Sequence, residues 1–108
     1  MLLKDIINLT DSKLLSGDEN KEINGCYIGD LLSLAMSKVQ KDNLWITIQS
    51  NINIVAVASL TEAGCILICE GFDPDDGVVS RAEDENISIV QSPLSAFELA
   101  KKLINNGF

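Results

Sequence analysis

Three cysteines and a run of acids are the residues of this chain whose types could do chemistry. Cys65 and Cys69 stand four apart, Cys26 stands alone, and Glu70, Asp73, Asp75 and Asp76 fall close together. There is no histidine. That removes Ser-His-Asp and Cys-His catalysis and His-ligated metal sites. On a strand Cys65 and Cys69 share a face, but at roughly 3.3 Å per residue their Cα atoms lie about 13 Å apart. A disulfide needs less than about 7 Å. One iron–sulfur cluster wants four thiolates at motif spacing, and Cys26 cannot complete that set. The cysteines therefore read as small buried hydrophobes. The acids read as a helix start, with Asp73 as N-cap, Pro74 at the first helical position and carboxylates complementing the helix dipole. The Gly and Glu of an EF-hand calcium loop are missing from that run. Neither G-x-x-x-x-G-K-[ST] nor G-x-G-x-x-G occurs, so the chain is not a P-loop kinase. No catalytic residue, metal ligand or cofactor is expected.

A second set of polar residues interrupts an otherwise apolar chain: Gly29-Asp30, Gln49-Ser50-Asn51, Glu70-Gly71-Phe72 and Gln91-Ser92. These matter only if the elements before them are parallel strands, because open α/β sheets hold ligands beyond the carboxyl ends of their strands. Ordinary capping and turn-making account for Asp30, Ser50 and Ser95 without a ligand. Gln49 and Gln91 are explained least well that way, since Gln is a poor N-cap. The candidate ligand-binding residues are therefore Gly29, Asp30, Gln49, Ser50, Asn51, Gly71, Phe72, Gln91 and Ser92. Acids after Gly71 would repel a phosphate at that helix start. The helix starts after Gln49 and Gln91 carry neutral Ser and Asn, and an anionic ligand, if one binds, is expected at those two ends.

The positioning elements follow from periodicity. Leu2, Leu3, Ile6 and Ile7 recur at helical spacing over residues 2–9, and Lys13-Leu14-Leu15 is strand-like. The polar stretch Gly17–Glu22 is a loop and Ile23–Ile28 a strand. Asp30 reads as the N-cap of a helix whose buried stripe is Leu31, Leu32, Ala35, Met36 and Val39. Leu44–Gln49 is β-rich, and Cys65–Cys69 is a continuous apolar run suited to a strand covered on both faces. Val78, Val79 and Ala82 give the buried side of the next helix, which ends near Asn86, and Ile87–Val90 returns as a strand. Ser95 and Glu98 form a capping box, Leu94 and Leu99 a hydrophobic staple, and Phe97, Ala100, Leu103 and Ile104 the buried stripe, closed by Gly107. Trp45 and Tyr27 read as core or sheet-face residues, with an interface role as the alternative for Trp45. Residues 52–60 stay ambiguous. Their β-branching puts strand slightly ahead by propensity, and a strand there would make an antiparallel meander without a polar rim.

The totals fit one domain over residues 1–108. The net charge of −8 opposes nucleic acid and anionic lipid. No apolar run approaches the roughly 20 residues of a membrane span. The start MLLKDIINL is not a signal peptide, and an odd number of cysteines suits a reducing compartment, so a cytoplasmic location is expected.

The order KDI, CYIGDLLSLAM, DNLWITIQSNINIVAVA, ICEGFDPD and SPLSAFELAKKL resembles the small stand-alone DRTGG-domain proteins over nearly the whole chain. LWITIQ…N…AVA is its most specific part, and the name-giving Asp-Arg-Thr-Gly-Gly run is absent. The family is similar to the N-terminal domain of HPr kinase/phosphorylase, an α/β domain without the catalytic P-loop. The resemblance implies that Ile52–Leu60 is a helix buried nearly all round, with Ser50 or Asn51 as its N-cap. The expected fold is then a single α/β domain with a mostly parallel sheet and helices on both faces. It implies a non-catalytic regulatory or ligand-sensing module, with an adenine nucleotide or other small anion as effector. The alternative is an accessory protein that binds a partner in a redox (hydrogenase-type) or regulatory kinase complex and has no ligand of its own. A homodimer is an expectation that no particular residue demands.

Overall fold

The computed structural model describes residues 1–108. Its two central strands come from the most continuous apolar runs. Strand β3 (Leu44–Thr47) and strand β4 (Cys65–Ile68) are buried at every position. Strand β5 (Ile89–Gln91) pairs parallel with β4, and strand β2 (Cys26–Ile28) pairs parallel with β3. Strand β1 (Lys13–Ser16) closes the far edge antiparallel to β5, giving the order β1-β5-β4-β3-β2.

Helices α2 (Leu32–Lys38), α3 (Asn53–Thr61) and α4 (Val78–Asp84) connect the four parallel strands in turn. Each crossover steps to the adjacent strand in the same direction. Right-handed connections of that kind put all three helices on one face. Ala35, Val39, Ile54, Val55, Val57, Ala58, Val78 and Ala82 pack there against Trp45, Ile66, Ile68 and Ile89. Helices α1 (Leu3–Leu9) and α5 (Ala96–Asn105) cover the other face, where Leu3, Ile6, Leu99 and Leu103 meet Leu44, Ile46, Cys65, Leu67 and Val90. The expected architecture, a mostly parallel α/β sheet covered on both faces, is the one observed.

Residues 53–61 are helical, and the chain after Trp45 leaves the sheet and returns parallel. The helix α3 is buried over most of its circumference but not all of it, since Ala56, Ser59 and Leu60 are exposed. Asn51 takes the capping role without being the formal boundary: its Oδ1 accepts from Asn53 N–H at 2.9 Å, and its carbonyl accepts from Ile54 N–H at 3.1 Å.

Two expected helix starts are displaced. α2 begins at Leu32 with no side-chain cap, and the Asp30 carboxylate is used elsewhere. α4 begins at Val78, not after Asp73. Asp75–Val78 is instead a turn closed by Val78 N–H to Asp75 O at 3.2 Å, with Gly77 at φ +86° in its third position. A positive φ there favours Gly. Pro-Asp-Asp-Gly is turn chemistry, and that outweighed the helix-start pattern.

Two buried stripes also differ from expectation. On α2, Ala35 and Val39 are buried while Leu31 and Met36 face solvent. On α5, Leu99 and Leu103 are buried while Phe97 and Ile104 are exposed. Each of these helices has more apolar positions than its narrow contact with the sheet can cover. The α5 capping box is present, with Glu98 N–H donating to Ser95 Oγ at 3.2 Å and Ser95 N–H to Glu98 Oε1 at 3.4 Å. Gly107, at φ +88°, follows its C-cap.

Candidate functional site at the strand ends

The carboxyl ends of β2, β3, β4 and β5 bring the loops with the candidate residues onto one rim. Each loop is tied to its neighbour. Between the first two, Asp30 Oδ1 accepts from Thr47 Oγ1 and from Ile48 N–H, both at 2.8 Å. Gln49 Nε2 donates back to Asp30 O at 2.9 Å, and Asn51 Nδ2 donates to Gln49 Oε1 at 3.2 Å. Backbone donors at the end of a strand need acceptors, and Asp30 supplies one to β3 instead of capping its own helix. Gly29 contributes its carbonyl, which accepts from Trp45 Nε1 at 3.0 Å. Trp45 is fully buried, so it is core and has no interface role.

The second and third loops meet where Asp75 N–H donates to Ser50 O at 2.9 Å and Ser50 Oγ donates to Asp75 Oδ1 at 3.3 Å. The third and fourth meet at Gln91, whose Nε2 donates to Phe72 O at 2.7 Å and to Asp73 Oδ1 at 2.6 Å. Gly71, at φ +70°, donates its N–H to Ser92 O at 2.9 Å. Phe72 presents its ring to solvent. Ser92 stands apart from the rim. It is fully buried, and its hydroxyl donates to Thr10 O at 2.6 Å and accepts from Leu94 N–H at 3.1 Å, which pins β5 to the end of α1.

Eight of the nine candidates therefore lie along one rim, and Ser92 serves the core. Sequence reasoning missed Thr47, Asp73 and Asp75 as partners in this lacing. Thr47 was legible as the one polar residue closing a buried strand. The pairing of Asp73 and Asp75 with Gln91 and Ser50 was not, because it depends on strand order. It also corrects the expectation of two neutral helix ends. The acids of the β4–α4 loop contact Ser50 and Gln91 directly, so carboxylates stand at those ends too. Asp30, Glu70, Asp73, Asp75 and Asp76 are all exposed, and the rim is strongly negative.

None of the four surface hollows is lined by a candidate residue. The winding gives the reason. A crevice opens in an α/β sheet where the strand order reverses between neighbours. Here β2, β3, β4 and β5 run in unbroken sequence, and no reversal falls among them. Hollows of about 460 and 240 Å³ lie at the opposite, amino ends of the strands, around Lys21, Asn86 and Ser88 and around Lys41, Glu62 and Asn86.

The thiols are not poised for chemistry. Burial pushes the Cys65 thiol up to about 12, whereas Cys26 stands exposed at the edge of the sheet. Cys69 is raised by burial first, then by the nearby charges of Asp30 and Glu70. A thiolate is the nucleophile and the metal ligand, and the two buried groups, Cys65 and Cys69, are held as thiols at neutral pH. No three Cys, Asp or Glu side chains converge as metal ligands.

A family model described as the DRTGG domain matches residues 5–105. The chain belongs to the DRTGG domain family. Among solved structures, this DRTGG domain is similar to the CBS and DRTGG domains of the regulatory region of Clostridium perfringens pyrophosphatase, complexed with the activator diadenosine tetraphosphate. The TM-score is 0.79 at 12% identity, over 95% of this chain and 46% of that one. At that identity the likeness is one of fold, and the DRTGG chain spans about half the length of the solved region. No curated protein matches the sequence. No helix is long and apolar enough to cross a membrane.

Proposed function

We infer that this DRTGG domain is a non-catalytic regulatory module whose responsive part is the laced rim at the strand ends. One observation carries the reading. The Gln49 and Gln91 amides each bridge to the loop of a neighbouring strand, and both remain within reach of solvent. A ligand that takes over either amide would loosen one loop from the next, leaving the Asp30 and Gly71 links in place. The effector class we assign is an adenine nucleotide, in line with the nucleotide activator of the pyrophosphatase regulatory region. The five rim carboxylates set a condition on it. Bare polyphosphate is repelled, so the nucleotide binds as its magnesium complex or with base and ribose foremost.

The test is a thermal-shift series with AMP, ADP, ATP and diadenosine tetraphosphate, each with and without Mg²⁺. A ligand at about 100 times its Kd adds roughly 2.7 kcal/mol, which is several degrees for a domain of this size. The shift for the polyphosphates should require Mg²⁺ and should vanish in Gln49→Ala. A shift that survives Gln49→Ala places the site elsewhere, and no shift with any nucleotide removes the effector.

A second reading, an accessory protein that docks a partner in a redox or regulatory kinase complex, is favoured by the outer side of α2. There Leu34 is exposed, with Leu31 just ahead of the helix and Met36 exposed on its flanks. Under that reading the nucleotide series is silent, and Leu34→Glu abolishes partner capture without altering the melting temperature.

A further inference from the structure

The two edges of the sheet are not alike. β1 carries Lys13 and an irregularity between Leu14 and Ser16. Charge and bulges are the usual means of blunting an edge against further pairing. β2, Cys26-Tyr27-Ile28, has no charge, no proline and no bulge. Leu44 N–H donates to Gly25 O at 2.9 Å and Gly29 N–H to Ile46 O at 3.1 Å. By alternation the Tyr27 backbone groups also turn to β3, so the N–H and C=O of Cys26 and Ile28 point away from the sheet.

The face of this edge that carries Cys26 and Ile28 is bare. They line an apolar hollow of about 160 Å³ with Ala100, Leu103, Ile104 and Phe108, all six residues being hydrophobic. Phe97 is 78% exposed and Ile104 70%, on the stripe of α5 that follows the hollow, and Ile28 and Ile48 on the sheet are 46% and 43% exposed. These four side chains leave roughly 400 Å² of apolar surface in water, as large as the biggest patch of a typical monomer.

We propose that the β2 edge and the α5 face together form a homodimer interface, in which β2 pairs antiparallel with β2 of a second copy. The edge is self-complementary. A two-fold axis at Tyr27 sets Cys26 opposite Ile28 of the second copy and Ile28 opposite its Cys26. Those are the residues whose backbone groups point outward, so four hydrogen bonds form. A shift by one residue would turn bonding groups against non-bonding ones. In this register the four side chains share one face, and Phe97 and Ile104 of both α5 helices close over them. Two copies remove about 800 Å² of apolar surface. At the usual apolar share of an interface that corresponds to a total of about 1,300 Å², within the range of specific dimers. No acid lines the hollow, and the nearest exposed acids, Asp30 and Glu98, follow Ile28 and Phe97 at its rim end.

The experiment is sedimentation equilibrium on the full chain from about 1 to 200 µM, with bismaleimide cross-linking at Cys26. The expected mass is twice 11.7 kDa at the upper concentrations. In the paired register two Cys26 Cα atoms lie about 9 Å apart, so a short bismaleimide yields a covalent dimer that Cys26→Ala does not. Ile28→Lys and Ile104→Glu, both at exposed positions, should each give a monomer with an unchanged circular dichroism spectrum. A monomer at every concentration overturns the proposal. So does a dimer that persists in both variants, or one that Cys26 fails to cross-link. Should either variant lose its fold, the cross-link on the unaltered chain decides alone.

Discussion

Asp30 gives the sharpest test of how the rim is held. Replacing it with alanine deletes the acceptor of Thr47 Oγ1 and Ile48 N–H, both at 2.8 Å. The Thr47 side chain is buried, so its hydroxyl loses its acceptor where water does not readily replace it. Hydrogen bonds to a charged group contribute roughly 1.5–3 kcal/mol each when desolvated. Asp30 is itself exposed, which lowers that to about 1 kcal/mol per bond, or about 2 kcal/mol in all. At roughly 4–5 °C per kcal/mol the melting temperature should fall by about 8–10 °C. Asp30→Asn keeps a carbonyl acceptor and should cost less than about 1 kcal/mol. Removing an acid from this rim also relieves repulsion, which works the other way. Asp76→Ala controls for it, since Asp76 is exposed and its side chain makes no hydrogen bond within the protein. Thermal melts and urea unfolding of the three variants decide the matter. If Asp30→Ala and Asp76→Ala melt together, the Asp30 carboxylate does not hold the strand end.

Ser95→Ala should destabilise the domain by about 1 kcal/mol through loss of the α5 cap, read as a lower urea midpoint with unchanged m-value. The Cys65 thiol, pushed by burial from an ordinary 9.0 up to about 12 in the folded chain, makes stability depend on alkaline pH. Above about pH 9 the unfolded chain releases this proton and the folded chain keeps it, so stability is complete below 9 and falls as pH rises towards 12. For this fully buried group the loss approaches roughly 4 kcal/mol at the top of that window. Urea unfolding between pH 8 and 11 should show the decline, and Cys65→Ala should lessen it, with Cys69 contributing part of what remains.

The sheet was legible where hydrophobic runs were long and uniform. Leu44–Thr47 and Cys65–Ile68 are buried on both faces, and nothing else fits such runs in a chain of this size. Residues 53–61 were not legible from propensity. Ile54, Val55 and Val57 favour a strand locally, and they form a helix because the parallel return from β3 to β4 needs a crossover, with α2 and α4 waiting to flank it. The resemblance to DRTGG proteins supplied that topology. Asp30 and Asp73 were misplaced for a common reason. Both stand one or more residues before a helix, where capping is the local expectation, and both are claimed by a partner on another strand. Capping is local and shows in the sequence. A bond from Thr47 to Asp30 or from Gln91 to Asp73 depends on which strands are neighbours, and no short pattern encodes that. The α5 stripe errs differently: Phe97 and Ile104 are apolar at helical spacing, but the helix is too exposed on that side for the domain to cover them.

Trp45 is the chain's single indole, sealed in the core with its N–H on the Gly29 carbonyl. The protein thus carries its own optical gauge. A ring enclosed in this way emits at the blue end of the tryptophan range. Any event that draws the Gly29-Asp30 segment outward must strip that N–H of its acceptor and admit water. Opening at the rim can therefore be timed in a stopped-flow fluorimeter with no label attached.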